Sequence, residues 1–245
     1  ELLVDIALPQ GSSIHGTRAT VDRLEDIMRE QEGISHWSTY IGSGAIRFYL
    51  PLNVQTPNPF LAQLVVVTDS IEDRLRLQPL LEGILTEQFP SVITRVNALE
   101  VGPPVGWPIQ YRVTGPDLDQ VRSIARDVAA TIAEVGNTKS ISFNWMEPSR
   151  EIRVVLDQDE ARRLGLSAAG VSDILDLHLS GTTVTQIRDH IYLIPVVARA
   201  EGGQTLSPER LANLEIALPG GRTIPLSQIA RLEYELTNPM IHRRD

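Results

Sequence analysis

The sequence predicts an α+β protein built from ferredoxin-like βαβ units, and three observations predict it. An extended apolar run, a helix-period segment and a second extended run follow one another three times in the first 145 residues. Acidic residues of N-cap type stand before the helical periods. Beyond Arg150 the texture changes to short strands separated by turn signals.

In chain order, Leu2–Leu8 reads as a strand, Thr17–Gln31 as a helix and Ile34–Ile41 as a strand. Gly42–Ser43–Gly44 reads as a hairpin loop into a further strand, Ala45–Leu50. The second unit is Leu61–Thr68, which Gln63 interrupts, then a helix over Ser70–Gln88, then Val92–Leu99. Ile71, Leu75, Leu81, Ile84 and Leu85 supply that helix's apolar side. The third unit is Ile109–Thr114, a helix over Leu118–Glu134 and Lys139–Trp145. Leu118, Val121, Ile124, Ala125, Val128 and Ile132 share one face of its helix. Asp69 with Glu72, Asp117 with Gln120 and Asp157 with Glu160 have capping-box spacing: the Asp accepts from unpaired N–H groups of the first turn, and the residue three on reaches back.

Gly102–Pro108 holds three prolines and marks a subdomain boundary, with a second boundary near Glu147–Pro148. The expected organisation is a complete ferredoxin-like subdomain over 1–106, half of a second one over 107–147, and an α+β domain over 148–245 that ends in the return to the second. In the last part, Glu151–Leu156 reads as a strand, and Asp157–Leu164 and Ser167–Leu179 as helices parted by Gly165. Strands are expected over Ile187–Ile194, Val196–Ala200, Leu214–Leu218, Thr223–Pro225 and Ile229–Leu236. A helical turn is expected over Ser207–Leu211, with Pro208 at its first position. Pro219–Gly220–Gly221–Arg222 reads as a hairpin tip.

Composition narrows the function. The net charge is −9 with the two signs interspersed and no basic stripe, which argues against a nucleic-acid partner. The absence of cysteine excludes thiolate catalysis, cysteine zinc sites and disulfides. No apolar run approaches the roughly 18–20 residues that span a bilayer. The chain opens at Glu1 directly into a strand, which suits a segment of a longer protein as well as one that has lost a leader.

Chemistry-bearing patterns are few. His15, His36, His178, His190 and His242 are scattered without ligand spacing. Gly42–Ser43–Gly44 precedes no helix, and Gly102–Pro103–Pro104 lacks the N–H groups of a phosphate cradle. Ser12, Ser13 and Ser167 lie in no nucleophile elbow, and Ser167 reads as a helix N-cap. Asp157, Asp159 and Glu160 read as a cap and a charged first turn. No catalytic site, metal site or cofactor is expected. Trp37, Trp107 and Trp145 stand out in a chain with 5% aromatic residues, and are expected to pack subdomain interfaces or line an apolar cleft.

Four stretches together resemble the second periplasmic loop of resistance–nodulation–division (RND) efflux pumps, in the acriflavine-resistance or hydrophobe/amphiphile branch. They are VDIALPQGSSIHGTRATVDRLEDIM (4–28), GPPVGWPIQYRVTGPDLDQV (102–121), DQDEARRLGLSAAGVSDIL (157–175) followed by LSGTTVTQIRD (179–189), and LPGGRTIPLSQIARL (218–232). The resemblance implies two porter subdomains, the second interrupted by an inserted docking domain, so that its missing half would follow Asp245. It implies a trimer in the bacterial inner membrane that is driven by proton influx and moves amphiphilic drugs. It also implies contact with a periplasmic adaptor and an outer-membrane channel. By position, Gly42, Ser43, Gly44 and Phe48 lie near the family's switch loop. Asn97, Leu99 and Trp107 lie near the cleft where substrates enter, and Asn144 and Trp145 near its other wall. Pro219, Gly220, Gly221 and Arg222 are placed toward the channel. Metal-ion or lipid export and a free-standing binding protein are the alternatives. With only Met28, Met146 and Met240, and Met28 read as helix core, a methionine-lined metal route is disfavoured.

Overall fold

The structure is a computed structural model that describes residues 1–99, 102, 106–145, 147–201 and 207–238. Pro103, Pro104 and Val105 of the proline-rich linker lie outside the described residues, as do Met146, His242 and Met240. The chain forms two compact units, one holding Glu1–Ser149 with Asn238 and the other Arg150–Thr237. Among the described residues, no helix is long and apolar enough to cross a membrane.

The first unit runs β1 (Leu2–Ala7), α1 (Ile14–Arg29), β2 (Ile34–Ile41), β3 (Leu61–Thr68), α2 (Ile71–Gln88), β4 (Ile93–Ala98) and α3 (Leu118–Ala133). Its four-stranded sheet has the order β2-β3-β1-β4 with antiparallel neighbours. Consecutive strands that are not neighbours are joined by α1 and α2, which is the ferredoxin-like arrangement. Alternation along each strand divides the side chains between two faces. Leu2, Val4, Ile6, Ala62, Leu64, Val66 and Val96 face the helices and meet Val21, Leu24 and Met28 of α1 and Leu77, Leu81 and Leu85 of α2. Each fully buried Val, Leu, Ile or Met among these contributes about 1.5–3 kcal/mol. Trp37 packs against this core too.

Helix starts follow local capping chemistry. Ser13 accepts from Gly16 N–H, so α1 starts three residues before the expected Thr17. Ser70, not the expected Asp69, caps α2 by accepting from Asp73 N–H at 3.0 Å. Asp117, Asp157 and Ser167 cap α3, the helix Gln158–Arg163 and the helix Ala168–Leu179 as expected. Thr17 is fully buried, and its hydroxyl donates to Pro59 O at 2.7 Å.

Three strand expectations fail in this unit, for one reason: a strand needs a partner for its backbone groups. Ala45–Leu50 is irregular, because the chain after Gly44 folds onto the sheet's face rather than along its edge. Ile109–Thr114 and Lys139–Trp145 form no ladder among the described residues. Side chains fasten the second of these and the residues that follow it: Arg126 pairs with Glu147, Lys139 with Glu82, and the Arg122 guanidinium lies 4.2 Å from the Trp145 ring centre. No residue of α3 is buried.

The second unit comprises β5 (Ser149–Leu156), α4 (Gln158–Arg163), α5 (Ala168–Leu179), β6 (Thr182–Asp189), β7 (Tyr192–Ala198), α6 (Pro208–Ala212), β8 (Glu215–Ala217), β9 (Thr223–Pro225) and β10 (Ala230–Thr237). The strands pair as β5 with β10, β6 with β7 and β8 with β9. A smaller core gathers Ala161, Val171, Leu211, Ile216, Leu226 and Ile229. The expected strand Ile187–Ile194 is a hairpin: Asp189 pairs with Tyr192 across a two-residue turn. His190 enables that turn by taking φ 52°, a left-handed conformation histidine adopts more readily than most residues. Every residue of β6 is exposed.

Candidate ligand cavity on the free face of the sheet

Helices α1 and α2 cover one face of the sheet of the first unit, and the 42–60 connection covers part of the other. On that second face the strand registers align Tyr40 with Gln63, Gln63 with Asp5, and Asp5 with Arg95. A polar row therefore crosses all four strands. Gln63 is 3% exposed, and its amide is satisfied on both sides: Nε2 donates to Asp5 Oδ1 at 2.6 Å, and Oε1 accepts from Ala45 N–H at 2.7 Å. Gln55, from the connection, donates to the same Asp5 oxygen at 3.0 Å. Beside this row Leu3, Ala45 and Leu52 form a small apolar cluster with Tyr40, Tyr49, Val65 and Leu99.

Between the row and the loop lies a cavity of about 70 Å³, lined among others by Asp5, Tyr49, Gln55, Gln63, Arg95 and Asn97. Among the described residues, none donates a hydrogen bond to the buried Asn97 Oδ1. Burial pushes the Asp5 carboxyl above its ordinary value, against the opposing bonds from Gln63 and Gln55 and the charge of Arg95. The Arg95 guanidinium also lies 5.4 Å from the Trp107 ring centre, which draws the end of the proline-rich linker to this site.

Several of the expected site residues thus meet at one place. Asn97 lines the cavity, Leu99 packs against the apolar cluster beside it, and Trp107 stacks with Arg95. Gly42, Ser43 and Gly44 start the covering loop, and Gly44 lies against Gln55. Phe48 sits on the same loop beside Tyr49, with ring centres 5.3 Å apart. Asn144 and Trp145 are not among the lining residues; Trp145 belongs to the α3 surface through Arg122. Pro219, Gly220, Gly221 and Arg222 form the exposed tip of the β8–β9 hairpin, closed by Leu218 N–H to Arg222 O at 2.8 Å. Sequence reading missed Asp5, Gln55, Gln63 and Arg95. The available signal was a polar residue in the middle of each of three apolar strands, Asp5, Gln63 and Arg95; only the register puts them in one row. A wider, shallow groove of about 460 Å³ in the second unit, lined by His178, Glu209, Arg210, Asn213, Leu214 and Glu215, gathers no comparable buried polar set.

The family model described as the AcrB/AcrD/AcrF family matches residues 1–245. The cation efflux system protein CusA of Escherichia coli K12 is 24% identical over 173 residues, covering 71% of this chain and 16% of that protein. The multidrug export protein AcrF of the same organism is 21% identical over 253 residues, covering 98% of this chain and 24% of that protein. The crystal structure of a heavy metal efflux pump superposes with a TM-score of 0.71 at 19% identity, covering 97% of this chain and 25% of that one. The chain spans about a quarter or less of the length of these relatives.

Proposed function

Because this chain belongs to the AcrB/AcrD/AcrF family of efflux transporters, we propose that it is the porter and docking part of the second periplasmic loop of a proton-driven RND pump. In this reading the whole protein is a trimer in the bacterial inner membrane that works with a periplasmic adaptor and an outer-membrane channel. Residues 1–106 are a complete porter subdomain, 107–147 the first half of another, and 148–245 the docking domain and the start of the return.

The observation that carries the substrate-path reading is the polar cavity beneath the β2–β3 loop. It joins a buried acceptor that lacks a donor among the described residues, Asn97 Oδ1, to apolar side chains on the loop above. Ile46 and Leu50 of that loop are 73% and 85% exposed. A polar head group below and an apolar body along the loop is the pattern of an amphiphile. The hairpin tip Pro219–Arg222 is the proposed contact with the outer-membrane channel or adaptor.

The names of CusA and of the heavy metal pump raise a second reading, export of metal ions. Soft-metal transport favours thiolate and thioether ligands. This chain has no cysteine, and of its three methionines Met28 is spent in the helix core, which favours amphiphiles as the cargo.

Tryptophan fluorescence decides between the two. Titration with a cationic detergent-like drug should quench the wild-type signal and leave Trp107→Phe less responsive, with no thermal shift from copper(I) or silver(I). A stabilising shift with either metal, and no response to amphiphiles, would reverse the assignment.

A further inference from the structure

The loop over the cavity has fixed feet and a separately fastened body. At the feet, Gly42 N–H donates to Leu61 O at 2.8 Å and Asn58 N–H to Gly42 O at 2.9 Å, so the two limbs start from one point at the sheet's edge. Between the feet, the body is tied down through one carboxylate. Asp5 Oδ1 accepts from Gln55 directly, and its bond from Gln63 Nε2 turns Gln63 Oε1 toward Ala45 N–H. The first limb is thus held through Gln63 and the second through Gln55. The limbs also touch: a Cβ at Gly44 would lie 3.0 Å from Gln55 Cβ and 3.1 Å from Gln55 N. The rest of the fastening is apolar, Ala45 and Leu52 against Leu3.

With the loop down, the cavity holds about 70 Å³, whereas a drug-sized ligand needs a cleft of roughly 300–1,000 Å³. We propose that Asp5 is the latch of this loop: its carboxylate holds residues 43–57 shut over the cavity, and releasing Gln55 lets that segment lift between its fixed feet and open the sheet face to a ligand. This rests on the reading of the face as part of a substrate pathway. A hydrogen bond to a charged acceptor is strong enough to hold a surface loop, yet weak enough for a competing ligand donor to replace it.

The test reads loop motion directly, by hydrogen–deuterium exchange on the 245-residue chain. Gln55→Ala removes one latch bond, and Gln55→Glu sets a second carboxylate against Asp5. Expected is about tenfold faster exchange in peptides from 43–57 for Gln55→Ala, the change one charged hydrogen bond supports, and a larger increase for Gln55→Glu. Strands β1 and β3 keep their protection. Unchanged exchange in 43–57 in both variants overturns the latch, because the apolar cluster then holds the loop alone. Exchange rising equally in the loop and in β1 and β3 also overturns it, because the bond then supports the fold. A loosened loop with unaltered quenching of Trp107 by amphiphiles supports the latch and removes the substrate-path reading instead.

Discussion

Asp5 has one side chain and two consequences. Burial raises its pKa above the ordinary 3.8, so the folded chain binds this proton more tightly than the unfolded one does. Its contribution to stability is therefore complete below the ordinary carboxylate value and is lost as pH rises through the raised one. Comparing urea midpoints from pH 3.8 to neutrality, wild type should lose stability relative to Asp5→Asn as pH rises; parallel profiles would show that Asp5 titrates alike in both states. Gly220 and Gly221 carry φ of +105° and +82° at the β8–β9 tip. Bulky residues there cost about 1–2 kcal/mol each in left-handed backbone strain. In the proposed full-length pump, Gly220→Val/Gly221→Val should lower drug resistance together with cross-linking to the proposed adaptor and channel partners. Unchanged cross-linking would show that the tip does not dock. The tip itself was legible, because two adjacent glycines demand a turn. The polar row was not, because no local pattern links residue 5 to residues 63 and 95.

At the scale of elements, α2 runs unbroken through Pro79. An interior proline removes a backbone bond and crowds the preceding turn, at a cost of about 3 kcal/mol. Leu77, Leu81 and Leu85 are nearly fully buried on either side of it, and their packing offsets that cost. Pro79→Ala should accordingly raise the melting temperature of the first unit, by about 1–3 kcal/mol of stability; a lower value would show that the proline sets a bend the packing needs. Helices were legible throughout, because a 3.6-residue period and a cap are local signals. Strands were legible only where a partner exists. Ile109–Thr114 and Lys139–Trp145 have the composition of strands but no described neighbour, and the apolar face of α3 is at most half-buried. The proposed domain organisation accounts for this if the partner strands lie elsewhere in the parent protein. In Ile187–Ile194 the reverse happened: a run of β-branched and aromatic residues hid a turn that His190 makes without glycine.

For the whole molecule, two units with separate cores predict two unfolding transitions. Leu64→Ala removes a fully buried side chain at about 2–5 kcal/mol. In calorimetry it should lower one transition and leave the other in place; a single transition that moves as one would show that the units melt together. Membership of the transporter family bears on where the chain works. Fractionation of the tagged parent protein should find it in the membrane pool, and a soluble product would contradict the pump reading.

By itself the sequence determined the α+β class, the ferredoxin-like order of the first unit, most helix caps and the hairpin tip. Each depends on residues near one another in the chain, where period, capping and turn chemistry act. The tertiary structure alone decided that the 42–60 connection lies over a sheet face rather than extending its edge. It also decided that Asp5, Gln63 and Arg95 stand in one row with Gln55 above them and Trp107 beside Arg95. Those contacts depend on strand register and on a neighbour's need to satisfy buried polar groups, and both are settled only when distant segments pack.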